Sequence, residues 1–379
     1  MTIGLTARTA RGLEWVSADE IASRLAPVQV TLAPREVRFT VAHLDPAVTA
    51  LRTVDDVFVR VGALRGIGGD RRTPALLAAA AVRLDLASAV SHIRARRHVA
   101  THPAIDVVVS IEGDRRFNRY DLEDALGEAL SPVVDGTYGP RRNGSPPPSD
   151  LTVRVVVAGE RAEVMVRIAA LPLHRRPWKL ATEPGTLHPP AAASLLRLSG
   201  LRRTVVDPFC GDGTIPIEAA MGGLRAEGSD LAGRRLANAQ ANAVRAGVAV
   251  GWARADAAQG PWRPGGDAAW VTNPPWNRTV QARGGVQDSL APAWGEARRL
   301  LGPSGTLSVI VDADIDVDAD LRAAGWRPAA AQQARMAGRV CRLVIAVPTD
   351  GPDRDPLSPT LRKWRRQAQA DGLVTDTGF

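Results

Sequence analysis

Asp207-Pro208-Phe209-Cys210-Gly211-Asp212-Gly213-Thr214 stands between an apolar run, Thr204-Val205-Val206, and a helix-forming stretch from Ile215 to Met221. Together they read as a short buried strand, a glycine-rich turn and a helix. Glycines let a backbone pass close to a ligand, and a helix start presents the positive end of its dipole. The spacing therefore predicts a ligand-binding unit with Asp207 at the carboxyl end of its strand. The dinucleotide fingerprint G-x-G-x-x-G is not met, because Pro216 stands where its third glycine would be. A second acid, Asp230, closes the segment 224–229, where a carboxylate can bind both ribose hydroxyls. A third, Asp256, follows 251–255, where an adenine amine would lie. Any one of these acids alone also fits a helix cap or a solvated loop. Their recurrence after successive strands points to a nucleoside.

Thr272-Asn273-Pro274-Pro275-Trp276 adds the chemistry. The Asn273 side chain and the Pro274 backbone offer two carbonyl acceptors, held rigid because the prolines fix φ. Acceptors so placed suit a planar NH2 group. Drawing hydrogen bonds from both amine protons localises the nitrogen lone pair, while Trp276 can stack on the ring that carries the amine. A nitrogen so prepared can attack a methyl sulfonium. The same tetrapeptide, taken alone, also reads as a proline turn after a strand.

The block from Asp207 to Ala220, with Asn273 to Trp276, resembles class I S-adenosylmethionine-dependent RNA guanine-N2 methyltransferases that carry an N-terminal THUMP domain. Pro172-Leu173-His174-Arg175-Arg176 and Leu187 to Leu198 look like that family's junction into the catalytic domain and its first helix. Gly113 to Asp121, followed by Leu122 to Leu130, resembles the THUMP strand-to-helix segment, and Thr6 to Leu25 is similar to the start of a ferredoxin-like domain. The resemblance implies a Rossmann-like α/β catalytic domain, a doubly wound sheet with its last strand antiparallel, preceded by ferredoxin-like and THUMP α+β domains. The expected division is residues 1–66 (ferredoxin-like), 67–170 (THUMP), 171–186 (linker), 187–350 (methyltransferase) and 351–379 (a basic, proline-containing tail). S-adenosylmethionine is the implied cofactor, with Asp207, Phe209, Gly211, Gly213, Thr214, Asp230, Asp256 and Asn273 around it. Asn273, Pro274 and Trp276 are the implied catalytic set. Structured RNA, with tRNA favoured, is the implied partner, met by Arg115, Arg116, Arg119, Arg175, Arg176 and Lys179. Relatives commonly have Tyr or Phe in the place of Trp276 and Gly in that of Asn277. This departure bears on substrate identity more than on reaction type.

Bulk properties are compatible with this reading. A chain of 379 residues is long enough for two or three domains with sizeable cores. Its net charge of +8 fits a nucleic-acid partner. Almost every basic residue is Arg, with Lys only at Lys179 and Lys363, so composition alone would give much of that charge. Arg94, Arg96 and Arg97 add to the cluster before the junction. No apolar run reaches the roughly 18 residues of a membrane span, and no secretory signal is visible, so a cytoplasmic monomer without a membrane partner is expected. Cys210 and Cys341 are expected to be reduced and buried, and the six scattered histidines predict no metal site.

Further elements follow from periodicity. Residues 2–9, 28–32, 37–41, 57–61, 105–111, 151–157 and 163–168 read as strands, and Glu14 to Leu25, 74–84 and 86–97 as helices. The stretch 65–72 reads as a connector and 144–149 as a surface loop. Beyond Trp276 come a helix over 290–301, a strand over 306–311, a helix near 319–324 and a last strand over 342–347. The tail, with Arg362-Lys363-Trp364-Arg365-Arg366, reads as a frayed, exposed helix. Three functions stay open: guanine-N2 methylation of tRNA (position 6 favoured over position 10 or a large-subunit rRNA site), methylation of another planar amine such as adenine N6 or a glutamine amide, and a non-catalytic RNA-binding module.

Overall fold

The computed structural model describes residues 2–141, 148–180, 182–200, 203–263, 267–277, 281–336 and 338–374. Most of the loop expected at 144–149 lies outside the described residues. Among those described, the chain builds two sheets.

The first half runs β1 (Ile3–Arg8), α1 (Glu14–Leu25), β2 (Gln29–Ala33), β3 (Glu36–Val41), β4 (Asp56–Arg65), α2 (Thr73–Ala81), α3 (Leu86–Arg94), β5 (Ala104–Ile111), α4 (Arg119–Leu130), β6 (Thr137–Tyr138), β7 (Leu151–Ala158) and β8 (Arg161–Arg167). Alternate residues enter one core: Leu5 and Ala7 of β1 and Val37 and Phe39 of β3 are buried with Trp15 and Ile21 of α1. The strand order is β2-β3-β1-β4-β8-β7-β5-β6. The boundary drawn after residue 66 thus falls inside a continuous sheet, because β4 pairs with β1 through its first residues and with β8 along its length.

The second half alternates: α5 (Pro189–Leu198), β9 (Thr204–Asp207), α6 (Thr214–Met221), β10 (Arg225–Asp230), α7 (Gly233–Ala246), β11 (Gly251–Arg254), β12 (Ala268–Thr272), α8 (Ala291–Leu301), β13 (Thr306–Asp312), α9 (Val317–Ala323), β14 (Trp326–Met336), β15 (Arg339–Pro348) and α10 (Pro359–Ala370). The order is β11-β10-β9-β12-β13-β15-β14. The first five strands are parallel, whereas β15 is antiparallel to both its neighbours. The direction of winding reverses between β9 and β12, which opens a crevice at their carboxyl ends.

Two elements depart from expectation. β14 was not foreseen: Trp326-Arg-Pro-Ala-Ala-Ala-Gln-Gln-Ala is rich in poor strand formers and contains Pro328. It is tolerated because β14 is an edge strand, and its register shifts between Pro328 and Ala330. Among the described residues of the tail, the helix is not frayed. α10 packs against α1, burying Leu361 and Ala368, and the Arg365 guanidinium donates to the Ala331 carbonyl of β14. Hydrophobic burial on one face holds a helix whose composition looks solvent-bound.

The halves are joined by specific polar contacts. Glu218 of α6, fully buried, receives Arg52 Nε at 2.9 Å and Arg176 Nε at 2.8 Å. Arg197 of α5 donates to Asp19 of α1, and Trp15 Nε1 donates to Gln332 Oε1 at 3.2 Å. The Arg335 amide of β14 donates to the Arg11 carbonyl at 2.9 Å. Gly12, at φ +94°, makes this approach possible, since a Cβ there would sit 2.1 Å from the Gln333 carbonyl oxygen. We expect Gly12→Val to lower the unfolding free energy by about 3 kcal/mol, from the combined backbone strain and steric overlap. Urea titration should read this, and an unchanged midpoint would show that the halves separate freely at Gly12.

Candidate active site

The crevice at the winding reversal opens into a cavity of about 860 Å³, within the roughly 300–1,000 Å³ of small-molecule sites. β9 and β12 are adjacent, so the two sequence motifs meet there. Thr272 Oγ1 donates to Asp207 Oδ1 at 2.7 Å, and the Phe209 amide donates to the same oxygen at 3.2 Å. Burial pushes the Asp207 carboxyl up to about 7, against the pull of these two donors, and the nearby Asp230 charge adds to the rise.

The glycine turn has two separate requirements. Gly211 and Gly213 are both left-handed, at φ +52° and +86°. A Cβ on Gly213 would lie 2.9 Å from Ala239 Cβ and 3.0 Å from the Trp252 ring, so this glycine serves the packing of α6 against α7 and β11. A Cβ on Gly211 would lie 2.8 Å from Arg235 Nη1 beside the cavity. Asp230 accepts from the Gly211 amide at 3.0 Å and the Ala232 amide at 2.8 Å, which fixes its carboxylate at the end of β10. Asp256 accepts from Ala258 N at 3.0 Å and Gly285 N at 2.6 Å, holding the segment after β12 against the end of β11. Thr214 Oγ1, at the start of α6, is buried without a hydrogen-bond partner.

Asn273 follows β12 directly. Its Nδ2 donates to the Gly185 carbonyl at 3.1 Å, which assigns the amide orientation. Its Oδ1 is then a buried acceptor with no partner. Pro274 and Pro275 line the cavity beside it, and Trp276 is anchored by its indole N–H to the Ile310 carbonyl of β13 at 3.3 Å. Asn277 adopts φ +54° and accepts from the Ala282 amide at 2.7 Å. Asparagine tolerates this left-handed geometry, so it does the backbone's work of the glycine common in relatives.

The end of the stretch 171–186, expected to be a linker, borders the cavity. Glu183, Pro184, Gly185 and Thr186 line the cavity. They are held by Asp212, whose carboxylate accepts from Glu183 N at 2.9 Å and from Thr186 Oγ1, while Asn238 Nδ2 donates to its other oxygen at 3.1 Å. Asp212 lies in the motif between two glycines, but the stretch it holds carries no periodicity to announce it. His188, the residue before α5, also faces the cavity. Burial, reinforced by the His174, Lys179 and Arg176 charges, pushes it down to about 4.

The expected RNA-contacting cations divide. Arg176 is a correction: it is buried between the halves, donating to Glu218, to the Leu173 carbonyl at 2.6 Å and to the Arg52 carbonyl at 2.7 Å. Arg115 is turned inward onto the Gly68 and Gly159 carbonyls, and Lys179, half-buried, donates to the Leu187 carbonyl at 3.2 Å. Arg115 and Lys179 are thus taken up by backbone carbonyls of the surrounding loops, and Arg176 by carbonyls together with the Glu218 carboxylate. Arg116, Arg119 and Arg175 are exposed, with Arg119 lying over the Tyr120 ring. Arg97, in the same cluster, braces Ile168 and Asp150 carbonyls.

Residues 176–341 match a family model described as an RMKL-like methyltransferase domain, UPF0020. This half has a Rossmann-like methyltransferase fold. The tRNA (guanine(6)-N2)-methyltransferase of Thermus thermophilus is 34% identical over 206 residues, covering 52% of this chain and 59% of that protein. Its namesake from Archaeoglobus fulgidus is 24% identical over 230 residues, covering 52% and 58%. The matched region thus spans less than two thirds of these relatives. The crystal structure of TrmN from Thermus thermophilus superimposes with a TM-score of 0.71 at 25% identity, covering 91% of this chain and 99% of that one. The likeness therefore extends beyond the methyltransferase domain into the first sheet.

Asp207 supplies a pH test of the domain. An acid whose folded value lies above its unfolded one contributes stability that is complete below the unfolded value, near 4, and is lost as pH rises through the folded value, about 7. Asp207→Asn should therefore flatten the fall in unfolding free energy between pH 4 and 7. Denaturant titrations across that range check it. A wild-type and variant slope that coincide would mean that Asp207 is ionised throughout.

Proposed function

We propose that this chain methylates the exocyclic N2 amine of a guanosine in tRNA, at position 6, with S-adenosylmethionine as cofactor. The observation that carries the reading is the unpartnered Asn273 Oδ1. An acceptor buried without a donor is costly, and this one belongs to a residue that lines a nucleoside-sized cavity together with Pro274 and Trp276. A planar amine supplies the missing protons. Two relatives that act on guanine N2 at tRNA position 6 support the choice of amine.

The residues present fit the cofactor. Asp230 keeps lone pairs for ribose hydroxyls, Asp256 stands where an adenine edge would lie, and Gly211 keeps the turn free of a side chain. Phe209, Thr214 and Asp207 complete the lining, with Asp207 held from outside it by Thr272. When bound, S-adenosylmethionine supplies an electrophilic methyl group. The protein's own contribution is to the nucleophile. Asn273 Oδ1 and the Pro274 carbonyl accept from the amine, which localises its lone pair, and Trp276 offers a ring face to a base taken out of its stack. No base is needed beforehand, because the amine proton becomes acidic only after methyl transfer.

The first sheet and its helices, residues 1–66 and 67–170, are in this reading the ferredoxin-like and THUMP parts that orient tRNA, with Arg116, Arg119 and Arg175 as the exposed phosphate contacts. An ordinary adenine-N6 enzyme would use the same amine acceptors, and the identity of the methylated base separates the two. With methyl-free tRNA in single-turnover reactions, Asn273→Ala should slow methyl transfer about a hundredfold while cofactor affinity stays close to wild type. Trp276→Phe should keep most of the rate and Trp276→Ala should lose it. Mapping the product by nuclease digestion and mass spectrometry should give N2-methylguanosine at position 6. Near-wild-type rates in Asn273→Ala and Trp276→Ala would remove this loop from the chemistry, and methyladenosine would change the substrate.

A further inference from the structure

Asp55, His174 and His188 are far apart in sequence and converge where the two halves meet. Asp55 precedes β4, His174 belongs to the segment 171–186, and His188 precedes α5. One donor atom from each lies within 4.8 Å of the others. Asp55 Oδ1 is buried and has no hydrogen-bond partner, and His188 Nε2 stands 3.7 Å from it, too far for a hydrogen bond. The imidazole rings are 5.4 Å apart and tilted by 33°. His174 is fixed against Asp55 by its backbone amide, which donates to the Asp55 carbonyl at 2.9 Å, and its Nδ1 lies 3.2 Å from the same oxygen.

We propose that Asp55, His174 and His188 bind a divalent first-row transition ion, Zn2+ being the reference case, which clasps the first sheet to the methyltransferase domain. Two imidazoles and one carboxylate are a donor set suited to Zn2+, Co2+, Ni2+ and Fe2+. A tetrahedral ion with bonds of about 2.0–2.1 Å holds its ligand atoms roughly 3.4 Å apart, close to the 3.7 Å already present between His188 and Asp55. The third ligand atom lies within 4.8 Å of the other two and closes on the ion as it binds. The ion satisfies the orphaned carboxylate oxygen, and water completes the shell. Because the ligands come from three segments on both sides of the junction, binding stabilises that junction directly.

The test uses the full chain, stripped of metal by chelation. Titration with Co2+ should give saturable, one-to-one binding with visible ligand-field absorption, and Zn2+ should displace it. Saturating Zn2+ should raise the melting temperature of the wild type but not of His188→Gln, and Asp55→Asn or His188→Gln should weaken Co2+ binding tenfold or more. Zinc-edge X-ray absorption of the wild type should show two imidazoles and light oxygen ligands, a reading that does not depend on a variant folding. Absence of saturable Co2+ binding, affinity unchanged in Asp55→Asn/His188→Gln, or a shell without imidazole would overturn the site.

Discussion

The buried carboxylate of Glu218 is the contact on which the arrangement of the whole chain turns. It lies on α6, which the glycine turn leads into, and it is neutralised from the other half by Arg52 and from the connecting segment by Arg176. A buried acid without its partners costs about 3–5 kcal/mol, so the first sheet and the connecting segment both stabilise α6. The helix that shapes the cavity is thus tied to the unit that carries the exposed arginines. Neither half is complete alone: Gly12 and Trp15 of the first half fit against β14 of the second.

From that arrangement the chemistry of the crevice follows. Adjacent strands β9 and β12 bring an acid and a carboxamide together, and Thr272 joins them through a hydrogen bond. Asp230 and Asp256 spend part of their capacity on backbone amides, which orients the rest towards the cavity. Asn273 and Gly185 both line the cavity, and the hydrogen bond between them fixes the carboxamide while its oxygen is left without a donor. A rigid acceptor loses little entropy on meeting a donor.

Arginine has two roles in this protein, and charge alone does not distinguish them. Arg52, Arg97, Arg115, Arg176 and Arg197 fasten loops and halves by filling carbonyls and carboxylates, whereas Arg116, Arg119 and Arg175 project outward. The guanidinium carries several donors in a fixed fork, which suits it to a junction with many unpaired oxygens. A net charge of +8 therefore overstates the surface available to an anionic partner.

The sequence by itself determined what depends on neighbours along the chain. Glu14 to Leu25 shows its helix by periodicity, Asp207 to Thr214 its turn by glycine, and Asn273 to Trp276 its stiffness by proline. Each is set by dihedral preferences within a few residues, and each is found where it was expected. Tertiary structure decided the rest. β14 is a strand because β15 pairs with it, against its alanine content, and α10 is ordered because α1 offers an apolar face. Arg176 is internal because Glu218 is, and Asp55, His174 and His188 are neighbours only because three segments cross at one junction. Partner choice among distant polar groups is decided by which buried oxygen or nitrogen would otherwise go unpaired, and no local pattern encodes that.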